Sequence, residues 1–133
     1  MAFSQDIARI TRLLEARLTE VARSVALDGA QRMSRRSPVL TGRFINNWQG
    51  GRSSPNRSTT VGTDKSGGAA LDRIHVEARQ WRLGETFYVT NSLPYGPELE
   101  DGRSQKAPQG MVRITAAEVP YLVDEHVRRV ARG

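Results

Sequence analysis

The sequence predicts an α+β fold: a long N-terminal helix and a C-terminal helix packed on a small antiparallel β-sheet, with a short middle helix and a long polar loop. Three observations lead there. Apolar residues recur at three- and four-residue steps over residues 6–33, a β-branched and aromatic run occupies 85–91, and a second helical pattern comes after a polar, Pro- and Gly-containing stretch at 101–110.

In the first segment Ile7, Ile10, Leu14, Leu18, Val21, Val25 and Ala30 form one stripe, with Arg9, Arg12, Glu20 and Arg23 on much of the opposite side. This is an amphipathic helix. Ser4 is its candidate N-cap, and Pro38 disfavours helical geometry at Ser37, so the helix should end within 34–37. Such a helix is long for a small domain, and its far end is expected to project toward a partner.

After the Thr41-Gly42 turn, Phe44, Asn46 and Trp48 alternate with Arg43, Ile45 and Asn47, which fits a strand with an aromatic face. Residues 50–58 are polar and carry turn residues, so they read as a flexible hairpin loop, with 59–63 as the returning strand. Gly67-Gly68 should break the chain before a helix whose face carries Leu71, Ile74, Ala78 and Trp81, and Gly84 should stop it. The run 85–91 is the clearest strand. Residues 94–100 suit one helical turn. Met111, Val112, Val119, Leu122, Val123, Val127 and Val130 mark the last helix, which Pro120 should kink or begin. Trp48, Trp81 and Phe87 are expected in the core.

One domain of 133 residues can bury a modest core. With 38% hydrophobic residues and a mean hydropathy of -0.52, that core is small or is completed by neighbouring molecules. No cysteine is present, which removes disulfides, thiolate metal sites and thiol catalysis. Neither a membrane-spanning run nor a signal peptide is evident. Net charge is +6, and all but two of the 20 basic residues are arginine. Arginine suits polar interfaces and phosphate, although a GC-rich genome gives the same bias. The charge is spread along the chain, which argues against a dedicated nucleic-acid tail.

Candidate chemistry is sparse. His75 and Glu77 form an H-x-E sequence, but zinc deaminases with that pattern also require cysteine ligands, and on a helix the two residues point to nearly opposite sides. Glu98, Glu100 and Asp101 are adjacent acids beside Arg103 and Lys106, better suited to surface or interface pairing than to acid/base catalysis. His126 has no nucleophile or phosphate loop to serve. No catalytic, metal or cofactor site is expected. The alternative classes are a basic nucleic-acid-binding protein and, further off, a small hydrolase.

The segment Asn91-Ser92-Leu93-Pro94-Tyr95-Gly96, continuing after two residues as Leu99-Glu100-Asp101-Gly102-Arg103-Ser104-Gln105-Lys106-Ala107-Pro108-Gln109-Gly110-Met111, resembles the signature of tailed-bacteriophage head-tail joining (neck or tail-completion) proteins. The earlier pattern Ser37-Pro38-Val39, Thr41-Gly42, Phe44 and Trp48 is similar to the stretch after the first helix in that family. Pro97, the 50–58 stretch and Pro120 depart from it. The resemblance implies a non-enzymatic ring of identical subunits, six in number, between the head-closure or connector ring and the tail-terminator or tail-tube protein. Its place would be the neck of the virion, after assembly in the host cytoplasm. A tail-terminator ring is the nearest alternative. The lumen would pass DNA, with non-specific, salt-sensitive contacts. Pro94 would restrict the chain, Tyr95 anchor it and Gly96 admit a neighbouring backbone, while 101–110 forms an interface loop. Tyr95, Glu100, Arg103, Lys106, Pro108 and Met111 are the expected subunit or ring contacts.

Overall fold

The computed structural model describes residues 2–102 and 110–133. It contains helix α1 (Ala2–Arg36), a 3-10 turn (Ile45–Asn47), strand β1 (Gln49–Arg52), helix α2 (Gly68–Gln80), strand β2 (Phe87–Thr90), the short helix α3 (Gly96–Glu100) and helix α4 (Val112–Arg132). The fold is α+β, dominated by helix. Strands β1 and β2 pair antiparallel, with Gln49 opposite Thr90 and Arg52 opposite Phe87. Helix α2 lies against β1, and α1 packs on both α2 and α4.

Helix α1 starts at Ala2, so Ser4 lies inside it and is not its cap. At its other end Ser37 is fully buried, and its hydroxyl donates to the Met33 carbonyl (2.8 Å) while accepting the Trp48 indole N–H (2.8 Å). Trp48 stands edge-on to Phe44, with ring centroids 5.8 Å apart. These two rings, with Met33, Ile74, Leu93 and Met111, form the main core, against which Phe87 and Val89 pack. The turn at Ser37 thus ties the end of the long helix to the start of the sheet.

The alternating segment at 44–48 is not a strand. Phe44, Ile45, Asn46, Asn47 and Trp48 are all buried, so there is no solvent face for a half-buried strand to present. Nor do residues 59–63 return as a strand, and 50–52 belong to β1 rather than to a hairpin loop. The partner of β1 comes from much later in the chain. Asn47 explains the difference, because its side chain satisfies the backbone that a strand would have paired. Its Oδ1 accepts from the Thr60 N–H (2.9 Å), and its Nδ2 donates to the carbonyls of Thr60 (3.0 Å) and Arg43 (2.7 Å). Gly42, at φ +90°, lets the backbone of 64–65 pass so closely that a Cβ would sit 2.6 Å from the Lys65 nitrogen.

Helix α2 ends at Gln80, well before Gly84, and Trp81, expected in the core, is instead its half-buried C-cap, with its indole N–H on the Glu85 carbonyl (2.9 Å). Helix α4 runs without a break past Pro120. The carbonyl that loses its donor there belongs to Ala116, an exposed residue.

Asn47→Ala removes all three side-chain bonds and leaves the Thr60 and Arg43 groups short of partners, a loss of about 2–3 kcal/mol. Urea denaturation should show a lower midpoint with an unchanged slope.

Candidate subunit interface

Helices α1 and α4 lie antiparallel, and the seam between them has two unlike sides. The polar side carries α1 residues at four-residue steps from Glu20 through Ser24, whose hydroxyl accepts from Arg129 (2.9 Å), to Arg36. Glu20 meets Arg129 (3.3 Å), Asp28 meets His126 (3.0 Å), Arg32 bridges Asp28 (2.9 Å) and Glu118 (3.2 Å), and Arg36 reaches both Glu118 (3.0 Å) and the Thr115 hydroxyl (2.9 Å). Burial pushes the Asp28 carboxyl up, but its bonds to Arg32 and His126 outweigh this and hold it below the usual carboxylate value. The Arg36 hydrogen bond, with help from Arg32, holds Glu118 low as well. These groups are partly exposed, so the ladder sets the register of the two helices more than it stabilises them.

The other side of the seam is apolar and open. A groove of about 670 Å³ runs between the helices, with Val21, Val25 and Met33 on one wall, Val119 and Val123 on the other, and Phe87 and Val89 of β2 beneath. Thr115 is the one polar side chain in its lining, and its hydroxyl is already committed to the Met111 carbonyl (2.7 Å). Leu18 lies at the mouth of the groove, where the α1 stripe continues outward through Leu14, Ile10 and Ile7. From residue 4 to 18 every position is exposed, and Ile7, Ile10, Leu13, Leu14 and Leu18 each show slightly more than half their surface. The second half of α1 is therefore a core element, and the first half is an arm.

Of the expected contacts around residues 91–111, Glu100 and Met111 are engaged within the subunit. Glu100 is an intramolecular clasp: its carboxylate accepts from the backbone N–H groups of Met111 (2.8 Å), Val112 (2.9 Å) and Arg113 (2.9 Å), and the Arg113 guanidinium donates to its carbonyl (2.8 Å). It caps α4 from outside the helix. Gly110, at φ +91°, makes this approach possible, since a Cβ there would lie 2.6 Å from a Glu100 carboxylate oxygen. Met111, expected at a subunit contact, is 1% exposed and belongs to the core, because the clasp turns it inward at the base of α4. Tyr95 stacks at a tilt on Phe44, centroids 5.8 Å apart, and keeps an exposed side. A Cβ on Gly96 would make only ordinary contacts, the nearest at 3.6 Å to Phe44, so no close backbone passage demands glycine there. Arg103, Lys106 and Pro108 lie outside the described residues.

The two sequence patterns that carried the resemblance are joined in space. Asn91 donates to the Phe44 carbonyl (2.9 Å), Tyr95 rests on the Phe44 ring, and Ser37 receives Trp48. These described residues of the two patterns hold the local structure together. No family model, curated protein or solved structure matches the chain. Among the described residues no group of three His, Asp or Glu is placed to hold a metal ion. His75 is exposed, while Glu77 pairs with Arg52 (3.1 Å).

Sequence reading missed the groove. Its walls were visible as apolar residues of two helices, but amphipathic patterning alone assigns such faces to the core. Nothing in the pattern shows that the two stripes leave a gap between them.

Burial raises the Glu100 carboxyl, but the three backbone N–H groups and Arg113 outweigh it and hold the pKa below its ordinary 4.5. A depressed carboxylate contributes stability above its unfolded pKa and loses it as pH falls through the folded one. Glu100→Ala is expected to cost about 1–2 kcal/mol at neutral pH, the usual range for a lost cap. The gap between wild type and variant should narrow below pH 4.5 in thermal melts; a gap independent of pH would refute the clasp.

Proposed function

We propose that this chain is a structural subunit of a tailed-phage neck, forming a ring that joins the head connector to the tail tube around a lumen for DNA. The observation that carries the reading is the uncovered apolar surface along α1 and in the α1–α4 groove. A lone soluble chain rarely exposes a contiguous apolar patch of this extent, whereas a subunit covers it on assembly. The sequence resemblance supplies the kind of assembly: identical copies, six in number, seated between a head-closure ring and a tail-terminator or tail-tube ring.

The chemistry agrees with a joining role that needs no catalysis. Repeated head-to-tail contacts between identical subunits close into a ring when the rotation per subunit permits. The net charge of +6, carried mostly by arginine, suits either phosphate along a lumen or acidic faces of neighbouring rings. Glu100 holds the chain at 100 and the chain at 110–113 side by side through its bonds to the start of α4.

Particles assembled from the genome that encodes this chain should contain it in several copies at the neck, visible as a ring in a reconstruction. Its absence from particles, or a single copy per particle, would overturn the reading.

A further inference from the structure

We infer that the α1–α4 groove of one subunit receives the α1 arm, residues 4–18, of the neighbouring identical subunit. The inference rests on the ring reading and names the contact that closes the ring. Both halves of the contact are present on the same chain. The arm offers Ile7, Ile10, Leu14 and Leu18 at steps of three, four and four, the spacing with which a helix lays its apolar face into a groove. The groove offers a nearly unbroken apolar lining with no uncommitted polar group, which is a poor match for a small molecule that needs directional hydrogen bonds.

Area points to a second copy as the occupant. The four aliphatic residues of this stripe are slightly more than half exposed, and covering each removes on the order of 100 Å² of apolar surface from water. Together that is about 400 Å². In an interface roughly 60% apolar it corresponds to about 670 Å² per partner, within the range of a stable protein–protein contact. The groove side is comparably bare: Val112, Val119 and Val123 are 36–46% exposed, as is Leu83 at its edge. A helical segment of about 15 residues is marginal in water without tertiary support, so the arm itself gains from being seated. Because arm and groove are different surfaces, each subunit gives its arm to one neighbour and its groove to the other.

Two substitutions separate the two surfaces. Leu14→Glu places a charge on the arm and Val119→Glu places one on the groove wall; both positions are exposed, so circular dichroism should show both variants folded. Wild type at its highest soluble concentration is expected to assemble, and each variant alone to weaken assembly by about 100-fold or more, read by sedimentation. Mixing the two should restore a single contact, because the Leu14→Glu chain keeps its groove and the Val119→Glu chain keeps its arm. The expected product is a one-to-one pair that grows no further. As the chain lacks cysteine, Leu14→Cys mixed with Val119→Cys gives a second readout, a disulfide-linked pair on oxidation. A ring that survives both glutamate variants would overturn the inference and leave the ring reading standing. A wild-type assembly of only two copies, broken by both variants, would uphold the docking and overturn the ring. Wild type that stays monomeric under these conditions overturns the docking, while the neck reconstruction still decides the ring.

Discussion

Two strands of four residues cannot hold themselves together in water, and the rest of this fold is arranged around supporting them. Helix α1 provides that support. Its second half touches α2, α4 and the core beneath the sheet, and its end is fastened to Trp48 through the buried Ser37 hydroxyl. At about 1.5 Å per residue, α1 is about 52 Å long, well beyond what so small a core can cover. The excess length becomes the arm.

Two kinds of contact divide the work along α1 and α4. The charged ladder fixes one helix against the other in register, and because it is half-wet it contributes little net stability. The apolar side contributes through burial, yet the chain leaves much of it uncovered. If the chain assembles as proposed, the residues that fall short of completing the monomer are the ones whose burial would favour assembly.

The clasp at Glu100 shows how a sequence signature can be structural rather than functional in origin. Glu100 and Gly110 hold the base of a polar segment closed, and Met111 enters the core as the chain begins α4. The earlier pattern does related work at Phe44 and Trp48, and Asn91 links the two regions. Glu100 and Met111, which look like contact points in sequence, are engaged inside the subunit.

Read by itself, the sequence determined the fold class, the long first helix, the middle and last helices, and strand β2, because each rests on local periodicity or propensity. It also placed Trp48 and Phe87 within reach of the core and expected the far end of α1 to project. Tertiary structure alone decided that 44–48 would turn instead of extend, since two of the three Asn47 side-chain bonds reach Thr60, 13 residues away, and its neighbours are buried. It decided the pairing of β1 with β2 and the meeting of Asp28 with His126 for the same reason: contacts between residues far apart leave no periodic trace in either segment. The groove belongs to this second group. Apolar spacing shows which faces avoid water, but only the packing of α1, α4 and β2 shows which of those faces the chain itself cannot cover.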